Sequence, residues 1–190
     1  VPFRSLAELV AAAKARPGQV TFGSAGNGTS THMAGELFQL VAAAPLQHVP
    51  YRGSSQAMND LIAGTINMMF ENLPTVPPAS ADGRVRALAL TATARAPQLP
   101  EVPTTAEAGL PEFVANAFFT LAVPASTPAP LLEALNRDLR AALFQPATHE
   151  RLVGLGTTPR GLTVPELRAY FAAETERWTR VIRAANLRAD

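Results

Sequence analysis

Apolar residues recur three and four apart at Leu6, Leu9, Val10 and Ala13, directly behind Ser5-Leu6-Ala7-Glu8, whose serine and glutamate have capping-box spacing. This predicts a helix to about Arg16, ended by Pro17-Gly18. A short run from Gln19 to Phe22 predicts a strand, and Gly23 to His32 a loop. Met33, Leu37, Phe38 and Val41 then return to helical spacing up to Ala44. A second strand is expected over Leu46 to Tyr51, interrupted by Pro50, and a helix through Met58, Leu61 and Ile62 stops at Gly64. Ile66 to Phe70 reads as a third strand. Pro74, Pro77 and Pro78 punctuate a short helix, Asp82-Gly83 makes a turn, and Val85 to Thr91 is a fourth strand.

Helices alternating with short, continuous apolar strands predict an α/β fold with a largely parallel sheet covered on both faces. Beyond a proline-bearing loop and a second capping box, Thr104-Thr105-Ala106-Glu107, the texture changes. Val114 to Val123 is the longest candidate strand. Three helices are expected after it: Thr127-Pro128 to about Phe144, Pro146 to Val153, and Thr163 to about Ala185. A lobe boundary is placed near Phe118. The last helix carries Leu167, Tyr170, Phe171, Trp178, Val181 and Ile182 on one side, a face that needs a partner surface.

Composition narrows the function classes. A chain of 190 residues can form one domain or two small lobes with a sizeable core. No apolar run reaches the roughly 18 residues that cross a bilayer. A net charge of +1, with no basic stripe, excludes nucleic acid as the expected partner. Cysteine is absent, which removes disulfides and thiolate chemistry without choosing a compartment. Val1 to Ser5 lack the features of a signal peptide, so the expectation is a cytoplasmic protein or a mature or truncated form.

The densest candidate chemistry is Gly23-Ser24-Ala25-Gly26-Asn27-Gly28-Thr29-Ser30-Thr31-His32, where a strand feeds a helix. Helix N-termini present unpaired N–H groups and a partial positive charge, so the stretch is read as a cradle for a small carboxylate, with a plain capped turn as the alternative. The glycines are expected to let backbone N–H groups approach the ligand. The loop fits neither the phosphate-loop nor the dinucleotide pattern. A hydrolase or transferase would use Ser24 or Ser30 with His32, but G-x-S-x-G is missing, and residues two apart on a helix do not face each other. His32, His48 and His149 are scattered, so no metal site and no cofactor is expected. The Asn27-Gly28-Thr29 sequon is read as a chance match.

Ligands of open α/β sheets sit beyond the carboxyl ends of the strands. Here those ends add Tyr51, Ser54, Glu71 and Asn72 to the cradle, unless Glu71 and Asn72 simply cap a helix. A carboxylate at Glu71 would favour a ligand carrying an amine or a shared proton.

Several ordered blocks resemble one family: Phe22 to His32, His48-Val49-Pro50-Tyr51-Arg52-Gly53, Met69-Phe70-Glu71-Asn72-Leu73-Pro74 and Leu99-Pro100-Glu101-Val102-Pro103-Thr104. They look like the Bug (TctC-type) receptors of tripartite tricarboxylate transporters. The resemblance implies a periplasmic, two-lobe solute-binding protein, not an enzyme, that closes on a dicarboxylate, acidic amino acid or aromatic acid and hands it to membrane transporter subunits. It implies a periplasmic-binding-protein-like lobe over residues 1–117, followed by an interlobe strand and the C-terminal helices of the other lobe over 118–190. The implied ligand residues are Ser24, Ala25, Gly26, Asn27, Thr29, Ser30, His32, Glu71, Asn72 and Phe118, to which the strand ends add Tyr51 and Ser54. Two positions depart from the usual pattern: Glu71 stands where Asp is more usual, and Phe118-Phe119 where Trp-Phe is frequent. The N-terminal part of the first lobe has no counterpart here, which implies a homodimer, a swapped assembly or a truncated form. An orphan signalling receptor or an inactive fragment is the other non-enzymatic reading.

Overall fold

The computed structural model describes residues 2–187. The chain divides into two compact units: one takes in residues up to Ala117 together with the chain from Val181 onward, and the other is Phe118–Arg180.

The first unit begins with α1, Leu6–Ala15, whose N-cap Ser5 accepts from the Glu8 N–H while Glu8 accepts from the Arg4 N–H. β1 (Thr21–Ser24), α2 (Ser30–Ala42), β2 (Gln47–Pro50), α3 (Ser54–Ala63) and β3 (Met68–Met69) follow, then a 3-10 turn and the short α4, Val76–Ser80. The three strands form one parallel sheet in the order β2-β1-β3. Pro50 lies on the edge strand β2, where its missing N–H costs no ladder bond. On the other side, the Asn67 side chain extends the ladder by accepting from both the Thr21 N–H and the Thr21 hydroxyl.

Successive strand residues point to opposite faces, and β1 shows what each face meets. A Cβ on Gly23 would lie 2.5 Å from Ile66 Cδ1 and 3.2 Å from Ala57 of α3, whereas neighbouring Phe22 presses its ring against Gly35 of α2. α2 and α3 therefore cover opposite faces of the central strand. Phe22, Phe38, Phe70 and Phe113 interlock edge-on or tilted at centroid distances of 5.5–5.9 Å. Phe22 and Phe38 are completely buried, with Leu6, Leu9 and Ala13 of α1 completing the core.

Two expected strands do not form. Over Val85 to Thr91 only a single parallel bridge joins Leu90 to Thr104. The interlobe strand expected over Val114 to Val123 is also absent. Ala115 bonds Thr91 through both its N–H and its carbonyl, but residues 116–123 pair with no strand among the described residues. Their Val, Phe and Leu content favours extended backbone, yet a strand needs a neighbour to take its N–H and C=O groups. Phe119 and Leu121 are instead 79% and 74% exposed. The Thr104-Glu107 box also forms without a helix: Glu107 Oε2 accepts from the Thr104 N–H and hydroxyl, Thr104 Oγ1 accepts in turn from the Glu107 N–H, and the segment is a turn. The Arg95 guanidinium, and after it the Thr104 bonds, hold the Glu107 carboxyl down to about 2.

The second unit contains α5, Ala129–Leu143, α6, Pro146–Gly154, and α7, which runs Val164–Ala184 and so continues past the unit's end. The Thr163–Glu166 capping box starts α7 as expected. Phe118 packs edge-on to Tyr170 and Phe171, at 5.2 and 5.4 Å. Along α5, Leu131, Leu135 and Leu139 form an exposed stripe four residues apart.

Candidate functional site

The parallel sheet brings the carboxyl ends of β1, β2 and β3 to one side, and the Ala25–Thr29 turn leaves β1 there. Gly26 and Gly28 adopt φ values of 128° and 73°, which side chains with a Cβ rarely tolerate. The turn is wired internally. The Ala25 N–H donates to Thr31 Oγ1 (2.9 Å), the Gly26 N–H to Ser24 Oγ (3.1 Å), the Gly28 N–H to His32 Nδ1 (3.0 Å), and the Thr29 N–H to the Gly26 carbonyl (3.3 Å). The N–H groups of Gly26 and Gly28 are therefore taken up within the turn itself. What stays open is the first turn of α2: the N–H groups of Ser30 and Thr31 have no hydrogen-bond partner among the described residues, and Ser30 is exposed.

Ser24 and His32, candidates for ligand contact or catalysis, are buried, Ser24 with 0% of its surface accessible. A nucleophile with no accessible surface cannot reach a substrate. Ser24 Oγ sits 2.6 Å from His48 Nε2 instead. His48 lies flat against Phe22 (4.8 Å) and His32 (4.0 Å), so two histidines scattered in the sequence are stacked in space. His32 accepts at Nδ1, so its ring proton is on Nε2, which faces Glu36 Oε1 at 3.4 Å. From the sequence His48 was read only as one of three scattered histidines and Thr31 only as a short donor of the loop, and Glu36 was not singled out. The pairing of Phe22 with His48 in the parallel register is what could have revealed the first.

Burial and the adjacent His32 push the His48 imidazole down to about 4 from its ordinary 6.5. Between those values the unfolded chain binds more protons than the folded one. The stability His48 contributes is therefore whole above about pH 6.5 and is lost as pH falls through the interval toward 4. The ring is partly exposed, which trims the loss to about 1–2 kcal/mol. Urea unfolding of the parent and His48→Gln at stepped pH should show a steeper acid loss in the parent, and equal slopes would exclude this contribution.

Tyr51, Ser54, Glu71 and Asn72 follow the carboxyl ends of β2 and β3 on the same side of the sheet. The Tyr51 N–H donates to the Ser24 carbonyl, joining the ends of β1 and β2, and its hydroxyl donates to Asp60 Oδ2 at 2.7 Å. Burial and that bond push the phenol up to about 12. Ser54 is the first residue of α3, whose N-cap, Gly53, offers no side chain, so this helix start is open as well. After β3, Glu71 Oε1 accepts from the Asn72 N–H at 2.8 Å, while Glu71 Oε2 is buried without a hydrogen-bond partner among the described residues. Asn72 stands at the N-cap of the 3-10 turn, but its side chain makes no capping bond. Asn27 is exposed, and Phe118 belongs to the other unit.

This architecture is that of a periplasmic-binding-protein-like lobe. The R. palustris protein Rpa4515, solved with adipate, matches with a TM-score of 0.90 at 32% identity, over 98% of this chain and 62% of that one. The periplasmic binding protein BugD matches with a TM-score of 0.87 at 26% identity, over 100% of this chain and 64% of its own. In sequence, the protein BugT of Bordetella pertussis is 39% identical over 179 residues, 94% of this chain and 55% of BugT. The chain thus spans about half the length of the curated relatives it matches. Residues 1–187 match the family described as the tripartite tricarboxylate transporter family receptor, TctC, and the chain belongs to that family. It is a family of binding receptors, not of enzymes.

Proposed function

We propose that the chain holds a small carboxylate, a dicarboxylate first, as part of a periplasmic solute-binding receptor that serves the membrane subunits of a tripartite tricarboxylate transporter. In this reading residues 1–117 form the ligand-clamp lobe and 118–190 belong to the other lobe, although the compact units group the chain from Val181 onward with the former. The observation that carries the reading is the open first turn of α2, where Ser30 and Thr31 N–H groups stand unpaired in a fold shared with an adipate-bound protein. Ser54 at the start of α3 offers similar donors. The orphan Glu71 Oε2 favours a ligand that also carries a hydrogen-bond donor, such as an ammonium or hydroxyl group. Exposed Phe119, Leu121 and the Leu131-Leu135-Leu139 stripe support association with an apolar partner surface, a second copy included.

Calorimetric titration with adipate, malate and aspartate tests the reading, with hexanoate as a monocarboxylate control. The decisive variant is Ser30→Pro. Ser30 is the first residue of α2, where proline is tolerated, and Thr29 before it already has the extended φ −70°, ψ 162° that proline requires. The helix survives while one N–H and one hydroxyl disappear. Charge-assisted hydrogen bonds of this kind are worth about 1.5–3 kcal/mol, so the expected loss is about 10- to 100-fold in affinity. A dicarboxylate bound equally well by Ser30→Pro, or no binding across the panel, would overturn the assignment.

A further inference from the structure

We infer that His48 is a positioning residue of the candidate ligand loop: through Ser24 it sets the hydrogen bonding of the Gly26 peptide, and it does so according to whether its ring carries a proton on Nε2.

Ser24 Oγ is the junction. It lies 2.6 Å from His48 Nε2, accepts from the Gly26 N–H at 3.1 Å, and stands 3.3 Å from the Gly26 carbonyl. A hydroxyl has one proton to give. When His48 Nε2 is bare, it accepts the hydrogen bond of that hydroxyl, and the Gly26 carbonyl keeps the two donors of Thr29, the hydroxyl at 2.7 Å and the N–H at 3.3 Å. When Nε2 carries a proton, the ring can only donate, and the Ser24 hydroxyl must turn to the Gly26 carbonyl. The state of one ring atom thus decides the bonding on both sides of the turn. The ring cannot swing aside to avoid the choice, because Phe22 and His32 hold it on both sides, at 4.8 and 4.0 Å.

The titratable groups facing His48 come from α2: His32, stacked on it, and Glu36, which engages the Nε2 of His32. β1 presents Phe22 and Ser24, and neither titrates in the range concerned. Asp60 of α3 is taken by the Tyr51 hydroxyl beyond the end of β2. A charge on His48 also meets His32, which holds the Gly28 N–H and so touches the same turn a second time.

The inference rests on the ligand reading only for its consequence, and its test needs no ligand, so failure of one is distinguishable from failure of the other. Amide and imidazole NMR signals of the unliganded chain are followed from about pH 7.5 to about 3.5. The Gly26 amide is expected to move with the His48 ring, with one shared midpoint near 4, while the Gly64 amide at the far end of α3 stays still. In Ser24→Ala the His48 ring should still titrate, with the Gly26 response cut at least about threefold because the relay atom is gone. A Gly26 amide that ignores the His48 titration, follows the His32 ring instead, or moves undiminished in Ser24→Ala would overturn the inference. The parent chain's titration decides alone should the variant not fold.

Discussion

Replacing Phe38 with alanine is expected to remove about 3–5 kcal/mol of stability, a large part of what a domain of this size possesses. Phe38 has no accessible surface, and its ring meets Phe70 at 5.6 Å and Phe113 at 5.5 Å. It therefore joins α2 to the end of β3 and to the segment around residue 113. That segment cannot close the cavity, because the Phe113 carbonyl is held by the buried Thr105 hydroxyl at 2.6 Å. The cost should stand near the upper end of the range, since cavities that cannot collapse are the expensive ones. Urea unfolding should show a lower midpoint with an unchanged slope. Phe119→Ala, at a residue of the same type that is 79% exposed, should shift stability by no more than about 0.5 kcal/mol. Similar losses for the two variants would place the core elsewhere.

The second large effect comes from the smallest change. Gly35 lies inside α2, where alanine is favoured over glycine by about 0.8–1.0 kcal/mol, so helix propensity alone predicts that Gly35→Ala stabilises. The added Cβ would lie 2.2 Å from Phe22 Cε2 and 2.5 Å from Cζ. Phe22 cannot retreat: it is fully buried, stacked on His48 and edge-on to Phe70. Overpacking of this kind costs about 1–3 kcal/mol and sometimes more, which outweighs the propensity gain. The expected net result is a loss of about 1–2 kcal/mol. In a Phe22→Leu background the same substitution should cost at least about 1 kcal/mol less, the coupling expected of residues in contact. A stabilised Gly35→Ala would mean the clash is relieved by a backbone shift.

The helices were legible because their signals are local. Ser5 with Glu8, Thr163 with Glu166, and Gly64 as a left-handed stop act within a few residues of themselves, and all three are found. The Thr104–Glu107 box was legible as a hydrogen-bonding motif but not as a turn, since the same reciprocal bonds cap a segment that never becomes helical. Strands are relational. Val114 to Val123 has the residues of a strand, but beyond Ala115 it meets no strand to pair with among the described residues, and Met68–Met69 is short because only those residues face β1 in register. In the candidate site, the cluster of hydroxyls and glycines after β1 was visible, but which N–H each hydroxyl would consume was not. Thr31 takes the donor of Ala25, and Ser24 that of Gly26, only once the turn has its shape. The His32–His48 stack depends on the register between β1 and β2, which no spacing within either segment encodes.

The middle strand of the sheet precedes both of its neighbours in sequence, and this sets the order in which they join it. β1 gains one neighbour when β2 arrives, but its other edge waits for Asn67, 46 residues beyond Thr21. During synthesis that edge stays open, and an open edge recruits whatever strand it meets. Closing it brings distant residues together at an entropic cost that slows folding. The turn that hangs from Ser24 thus acquires its final support late, when β3 docks and the helices between are already in place.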